Sequence, residues 1–325
     1  MRNWLLPEHV EDVLPAEAEG LERLRRTLLD HLATHGYRLV QPPLVEHLDS
    51  LLTGSARDLD LQTFKVVDPL SGRLLGLRAD ITPQIARIDA HLLNTAGVNR
   101  LCYAGSVLRA TPAPPGMMRE VVQLGAELFG EAGIAGDREA IGLIISSLEV
   151  VGLAGLHLDL GHVGVYRALA NAAGISGAGD DSDLFAALRA KDLPAVAELT
   201  TRLPAAWRDA LNALPGLYGP AHEVLAEARS RLPDTPAIAN ALAALDALAA
   251  SAGTRVEALH IDLADLRGYH YQTGAIFSVF TAGEPNAVGN GGRYDGIGKA
   301  FGRARPATGF TLDLRQLAGV AARQP

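Results

Sequence analysis

The sequence predicts an α+β fold in which a mainly antiparallel sheet is flanked by helices and carries a helical insertion. Three observations predict it. Strand-like runs cluster around hairpins instead of alternating with helices, the pattern of antiparallel pairing. Ala16 to His35 places Leu21, Leu24, Leu28 and Leu32 at helical spacing among charged residues, which gives an amphipathic helix with one face to bury. The stretch 163–252 is alanine-rich, helical in period and broken by Pro204, Pro215, Pro220, Pro233 and Pro236, as expected of a bundle of short helices. The expected division is a core of 1–162 with 253–325 and an insertion of 163–252.

Taken in order, Gly36 ends the first helix and Tyr37 to Val40 enters a strand that stops at Pro42 and Pro43, because proline cannot donate to a sheet ladder. Glu46 to Asp60 has no clear period and reads as a loop. Strands are expected at Gln62 to Val67 and Arg73 to Arg78, joined by a turn from Asp68 to Gly72. Asp80 then precedes a helix from Pro83 to about Leu93, with Thr82 at the capping position.

The central stretch is a hairpin whose strands, Leu101 to Arg109 and Glu120 to Phe129, flank a tip at Pro114, Pro115 and Gly116. Arg109 and Arg119 stand on either side of that tip. Gln123 and Glu127 are four residues apart on one strand, so their side chains leave the same face. Asp137 opens a helix with Ile141, Ile144, Ile145, Leu148 and Val151 as its buried stripe. Leu156 to Leu160 alternates as a half-buried strand with His157 outward. Strand character returns at Val256 to Leu263 and Gly274 to Thr281, and between these runs Arg267 to Gly274 is rich in groups that hold polar ligands.

Composition narrows the function classes. With 29 basic against 37 acidic residues the chain carries a net charge of −8, which disfavours general attraction to nucleic acid. Cys102 is the only cysteine, so no intrachain disulfide or cysteine-based zinc site forms, and this thiol is expected in the core. No apolar run reaches membrane-spanning length and the N-terminus lacks the uninterrupted apolar segment of a signal peptide, which points to the cytoplasm. The Gly179 to Asp183 run lacks the glutamate that closes a calcium loop and reads as a solvated turn. The glycines match neither a phosphate loop nor a dinucleotide fingerprint. No metal site, cofactor or catalytic nucleophile is expected.

In this order the segments resemble the catalytic domain of histidyl-tRNA synthetase, a class II aminoacyl-tRNA synthetase. Gly36 and Tyr37 leading to Pro43 and Glu46 resemble motif 1, the dimer-forming segment of the class. Arg109 to Gly130 is similar to motif 2, Arg267 to Gly274 to a histidine-specific signature, and Gly291 to Asp295 to the segment before motif 3. The resemblance implies Asp80, Thr82 and Gln123 for the ammonium group of free histidine, Glu127 for its imidazole and Arg267 for its carboxylate. Tyr271 remains of a tyrosine pair whose second member is here Gln272.

The departures concern the nucleotide. Thr111 stands where motif 2 has an acidic residue, Gln316 where motif 3 has the arginine that covers adenine, and Asp313 where a glycine lets ATP approach. Loss of that guanidinium removes a cation–π contact of about 0.5–2 kcal/mol and its charge-assisted bonds to phosphate. Arg109 and Arg119 are left as a residual anion-binding pair. Few residues follow Gln316, so no anticodon-binding domain and no tRNA are expected. The resemblance thus implies a non-catalytic, histidine-binding regulator that dimerises through the motif 1 region and acts through a separate enzyme partner. An active synthetase fragment and a free-standing histidine sensor are the alternatives.

Overall fold

The computed structural model describes residues 5–53, 57–112, 117–175, 183–269 and 271–323. The expected hairpin tip at Pro114 to Gly116, the turn residues 179–182 and His270 lie outside them. The chain forms two compact units, one of residues 1–131, 146–153 and 296–325, the other of 132–145 and 154–295.

The first unit opens with α1 (Pro15–Thr34), β1 (Arg38–Leu39), β2 (Val45–His47), α2 (Leu48–Leu51), α3 (Arg57–Gln62), β3 (Phe64–Val67) and β4 (Leu74–Leu77). It continues through α4 (Thr82–Arg87), which runs on as a π-helix over Ile88–Leu93, to β5 (Asn99–Leu108) and β6 (Glu120–Phe129). Next comes α5 (Ile134–Val150), whose residues are divided between the units. The second unit holds β7 (Leu156–His162), α6 (Val163–Ala172), α7 (Asp183–Arg189), α8 (Leu193–Thr200), α9 (Ala205–Ala213), β8 (Tyr218–Pro220), α10 (Ala221–Arg231) and α11 (Pro236–Ala252). It closes with β9 (Ala258–Asp262), β10 (Ala275–Thr281) and β11 (Gly289–Arg293), before β12 (Ala307–Asp313) and α12 (Leu314–Ala321) return to the first unit.

In the first unit the strands lie in the order β1-β5-β6-β12, parallel only between β1 and β5, and a second small sheet has the order β2-β4-β3. The second unit orders its strands β11-β10-β7-β9-β8, parallel only between β7 and β9. Strand pairing within each unit is thus mainly antiparallel, as the clustering of hairpins requires. The leucine stripe of α1 buries Leu28 and Leu32 completely, and Gly36, at φ +80°, turns the chain out of the helix while its N–H bonds Ala33 O at 2.9 Å. Cys102 is buried in β5. In β7, Leu156, Leu158 and Leu160 are buried while His157 and Asp159 are half-buried, the alternation of a one-sided strand.

Three local expectations are corrected. Where a loop is expected, the described residues of 46–60 contribute to β2, α2 and α3, elements too short to show a period; Val45 pairs with Leu77 and Leu51 is buried. The alanine-rich segment contains a strand, β8, which pairs antiparallel with β9. Thr82 does not cap α4: it is the first helical residue, Ile81 precedes it without a side-chain cap, and the threonine hydroxyl turns elsewhere. Among the described residues no helix is long and apolar enough to cross a membrane.

Candidate functional site

The site of the first unit is built on the paired strands β5 and β6. Their register sets Leu101 opposite Glu127, Tyr103 opposite Gly125 and Gly105 opposite Gln123, so these side chains share one face. Gly125 is required there, because a Cβ would overlap the Tyr103 hydroxyl that lies across it. On the other side of β6, Gly309 of β12 stands opposite Glu127, and a Cβ on it would overlap Glu127 Oε2. One missing side chain therefore makes room for the buried carboxylate and the other for the phenol that bonds it.

The segment between β4 and α4 crosses this face and is fastened to it. Ile81 N donates to Gln123 Oε1 at 2.9 Å, Gln123 Nε2 donates to Asp80 Oδ1 at 2.8 Å, and Thr82 N donates to the same oxygen at 3.1 Å. Thr82 Oγ1 donates to Glu127 Oε1 at 3.0 Å, and Tyr103 Oη donates to that oxygen at 3.1 Å. Glu127 and Tyr103 are each 1% exposed and Gln123 is 6% exposed. Burial, reinforced by Glu127 and Asp80, pushes the Tyr103 phenol well above its ordinary pKa, so it remains a neutral donor. Asp80, Thr82, Gln123 and Glu127 are therefore brought together by hydrogen bonds, with Tyr103 as a member that sequence reasoning missed. Tyr103 reads as one more apolar strand residue, and only its parity with Gly105 and Val107 marks the face it joins.

This cluster is rich in acceptors: two carboxylates and an amide gathered on one face suit a ligand that brings N–H donors, such as an ammonium group or a ring N–H. Arg109 and Arg119 stand where the strands leave the hairpin. Arg109 N donates to Arg119 O at 2.9 Å, Arg119 Nε donates to Arg109 O at 3.1 Å, and the Arg119 guanidinium lies 4.8 Å from the Phe64 ring centre. Asp313 ends β12 and caps α12, its Oδ1 accepting from Arg315 N at 2.9 Å and Gln316 N at 3.3 Å. Burial raises the Asp313 pKa, against the pull of those N–H groups and of Arg109 and Arg315.

Arg267 and Tyr271 belong to the second unit. The Arg267 guanidinium is engaged by Asp265, with Nε 2.9 Å from Oδ1 and Nη2 2.5 Å from Oδ2. That contact raises the Arg267 pKa. Tyr271 is 40% exposed, and its ring meets Tyr294 edge-on at 6.4 Å. Beside it Gln272 is buried, and its Oε1 has no hydrogen-bond partner among the described residues. Tyr269 is packed against Tyr166 and Phe185 at 5.5 and 5.2 Å, which ties the loop to α6 and α7.

A mainly antiparallel sheet around a central hairpin is the architecture of the histidyl-tRNA synthetase class of proteins, and the family model described as histidyl-tRNA synthetase matches residues 9–317. Among curated proteins, an ATP phosphoribosyltransferase regulatory subunit of Ralstonia nicotianae is 58% identical over 99% of this chain and 82% of its own length. Its counterpart in Thiobacillus denitrificans is 56% identical over 98% of both chains. Among solved structures, an ATP phosphoribosyltransferase regulatory subunit/histidyl-tRNA synthetase from Bacillus halodurans superposes with a TM-score of 0.85 at 29% identity, covering 98% of this chain and 83% of that one. Histidyl-tRNA synthetase of S. aureus, at 17% identity and a TM-score of 0.61, shares the fold, with 98% of this chain and 69% of that chain covered. The chain belongs to the family of ATP phosphoribosyltransferase regulatory subunits, built on the synthetase fold.

Proposed function

We propose that this chain activates a short-form ATP phosphoribosyltransferase catalytic subunit, the enzyme of the first step of histidine biosynthesis, and carries feedback inhibition by L-histidine to it. It performs no covalent chemistry of its own. The partners are that catalytic subunit, in a hetero-octamer, and a second copy of this chain joined through the motif 1 region around Tyr37 to Glu46. On this reading Asp80, Thr82 and Gln123 receive the histidine ammonium group and Glu127 the imidazole, while the resemblance assigns the carboxylate to Arg267 and a ring contact to Tyr271. Arg109 and Arg119 persist as a residual anion pair.

The observation that carries the loss of synthetase chemistry is the Asp313 cap. Backbone N–H groups at the start of a helix attract anions such as phosphate. Here two of those groups are already held by the chain's own carboxylate, whose charge repels a polyphosphate. The activating arginine of motif 3 is replaced by Gln316 as well. An amino-acid pocket without an ATP site suits a sensor rather than a catalyst.

The test is to mix the chain with short-form catalytic subunit and measure the phosphoribosyltransferase rate with and without histidine, alongside histidine-dependent exchange of pyrophosphate into ATP by the chain alone. Stimulation that histidine reverses, with exchange at background, is expected. Robust exchange, or no stimulation and no complex, defeats the regulatory reading.

A further inference from the structure

Arg78 follows β4 and is 6% exposed. Its Nε donates to Ser106 O at 2.8 Å, and Nη1 donates to Pro42 O at 2.7 Å and Pro43 O at 3.4 Å. Nη2 has no hydrogen-bond partner among the described residues, and none of their carboxylates lies within ion-pair distance of this guanidinium. The carboxylate whose field reaches it, Glu46, is already bonded by Arg87 at 2.5 Å and Gln84 at 2.7 Å. A cation buried without a counter-ion is costly, and burial accordingly depresses the basicity of Arg78. Carbonyl oxygens satisfy Nε and Nη1 and leave Nη2 without an acceptor among the described residues.

Its surroundings point to what compensates it. A cavity of about 230 Å³ is lined by Arg78, Tyr103, Gln41, Pro42, Ile81 and Ala104. The free Nη2 lies against Gly105, where a Cβ would overlap it. Gly105 is the cross-strand partner of Gln123, so the guanidinium is on the same face as the amide that holds Asp80. A carboxylate and an unpaired guanidinium thus flank Gln123 on one surface, the complement of a zwitterion. Arg267, by contrast, has both Nε and Nη2 engaged by Asp265.

We propose that Arg78 is a ligand-binding residue whose free Nη2 takes the α-carboxylate of the amino acid whose ammonium group meets Asp80. This rests on the reading of the cluster as an amino-acid pocket, and it moves the carboxylate contact from Arg267 to the first unit. It also gives the pocket a basis for rejecting amines that have the same ring and no carboxylate.

Calorimetric titration of the full chain with L-histidine and with L-histidinol, which replaces the carboxylate by a hydroxymethyl group, tests it. The wild-type chain is expected to bind histidine about 10- to 100-fold more tightly than histidinol, the range for a charge-assisted contact shielded from water. Arg78→Gln should lower histidine to the level of histidinol and leave histidinol unchanged, while Arg267→Gln should keep the preference. A preference that survives Arg78→Gln, or that collapses in Arg267→Gln alone, overturns the proposal. If Arg78→Gln does not fold, Arg78→Lys takes its place: a reduced preference with histidinol binding intact supports the assignment, and an unchanged one overturns it. A wild-type chain that binds neither compound removes the amino-acid pocket itself, a different result from a pocket that binds both equally.

Discussion

At the scale of single residues, the site depends on what is missing as much as on what is present. Glu127 is buried on β6 beside Gly309 of β12, and the carboxylate fills the space that a side chain at position 309 would occupy. Gly309→Ala therefore acts on Glu127 at a distance of one strand. The added methyl group must displace the carboxylate or part β6 from β12, and overpacking of this kind costs typically about 1–3 kcal/mol. The expected outcome is a lower melting temperature together with a fall of at least roughly tenfold in histidine affinity, because one of the charged contacts is lost. Chemical denaturation of Gly309→Ala, Glu127→Ala and the double variant checks it: with the carboxylate gone the methyl group has somewhere to go, so the two losses should sum to more than the loss in the double variant. Strict additivity would mean that Gly309 and Glu127 do not share this space.

At the scale of elements, helix starts carry much of the polar bookkeeping. His162 ends β7 and caps α6, its Nδ1 accepting from Gly164 N at 3.1 Å. Burial, helped by Arg167 and Arg293, pushes this imidazole down to about 4 from 6.5. A base held neutral in the fold and free to take a proton when unfolded stabilises the fold fully above pH 6.5, and that contribution is lost as pH falls toward 4. Its full size is roughly 3 kcal/mol, less what water at the half-buried ring screens. His162→Asn keeps a capping acceptor without the titration, so urea midpoints measured from pH 7 to 4.5 should fall less steeply than in the wild-type chain; parallel curves would defeat the assignment. The same scale explains what the sequence made legible. α1, α5, β5, β6 and β10 each hold enough residues to declare a period. β2, α2 and β8 do not, and they exist because of partners far along the chain, Leu77 for Val45 and Asp262 for Tyr218. In the site, strand parity put Gln123 and Glu127 on one face. Tyr103 and Arg78 stayed hidden because a tyrosine in an apolar strand and an arginine at a strand end look ordinary until their burial is known. Asp265 was missed as the partner of Arg267 although it lies only two residues away, since a short loop leaves no periodic sign of which side chains meet.

At the scale of the whole molecule, the proposed regulation needs only that histidine bind one assembly state more tightly than another. A coupling of about 1–3 kcal/mol gives roughly 5- to 150-fold control, and it acts in both directions: catalytic subunit must change histidine affinity by the factor by which histidine changes the complex. A pocket buried as deeply as that of Glu127 suits this role, because a ligand that completes a hydrogen-bond cluster stabilises whichever arrangement of α4, β5 and β6 forms it. Glu127→Ala separates sensing from activation. In the reconstituted complex this variant should still stimulate the short-form catalytic subunit to near the wild-type rate, while the histidine concentration for half-inhibition rises by about ten- to a hundredfold, as expected for one charged contact removed from a shielded site. Equal loss of stimulation and inhibition would mean that Glu127 serves the fold of the hairpin and not the ligand. Full stimulation with unaltered inhibition would put the histidine sensor outside this cluster.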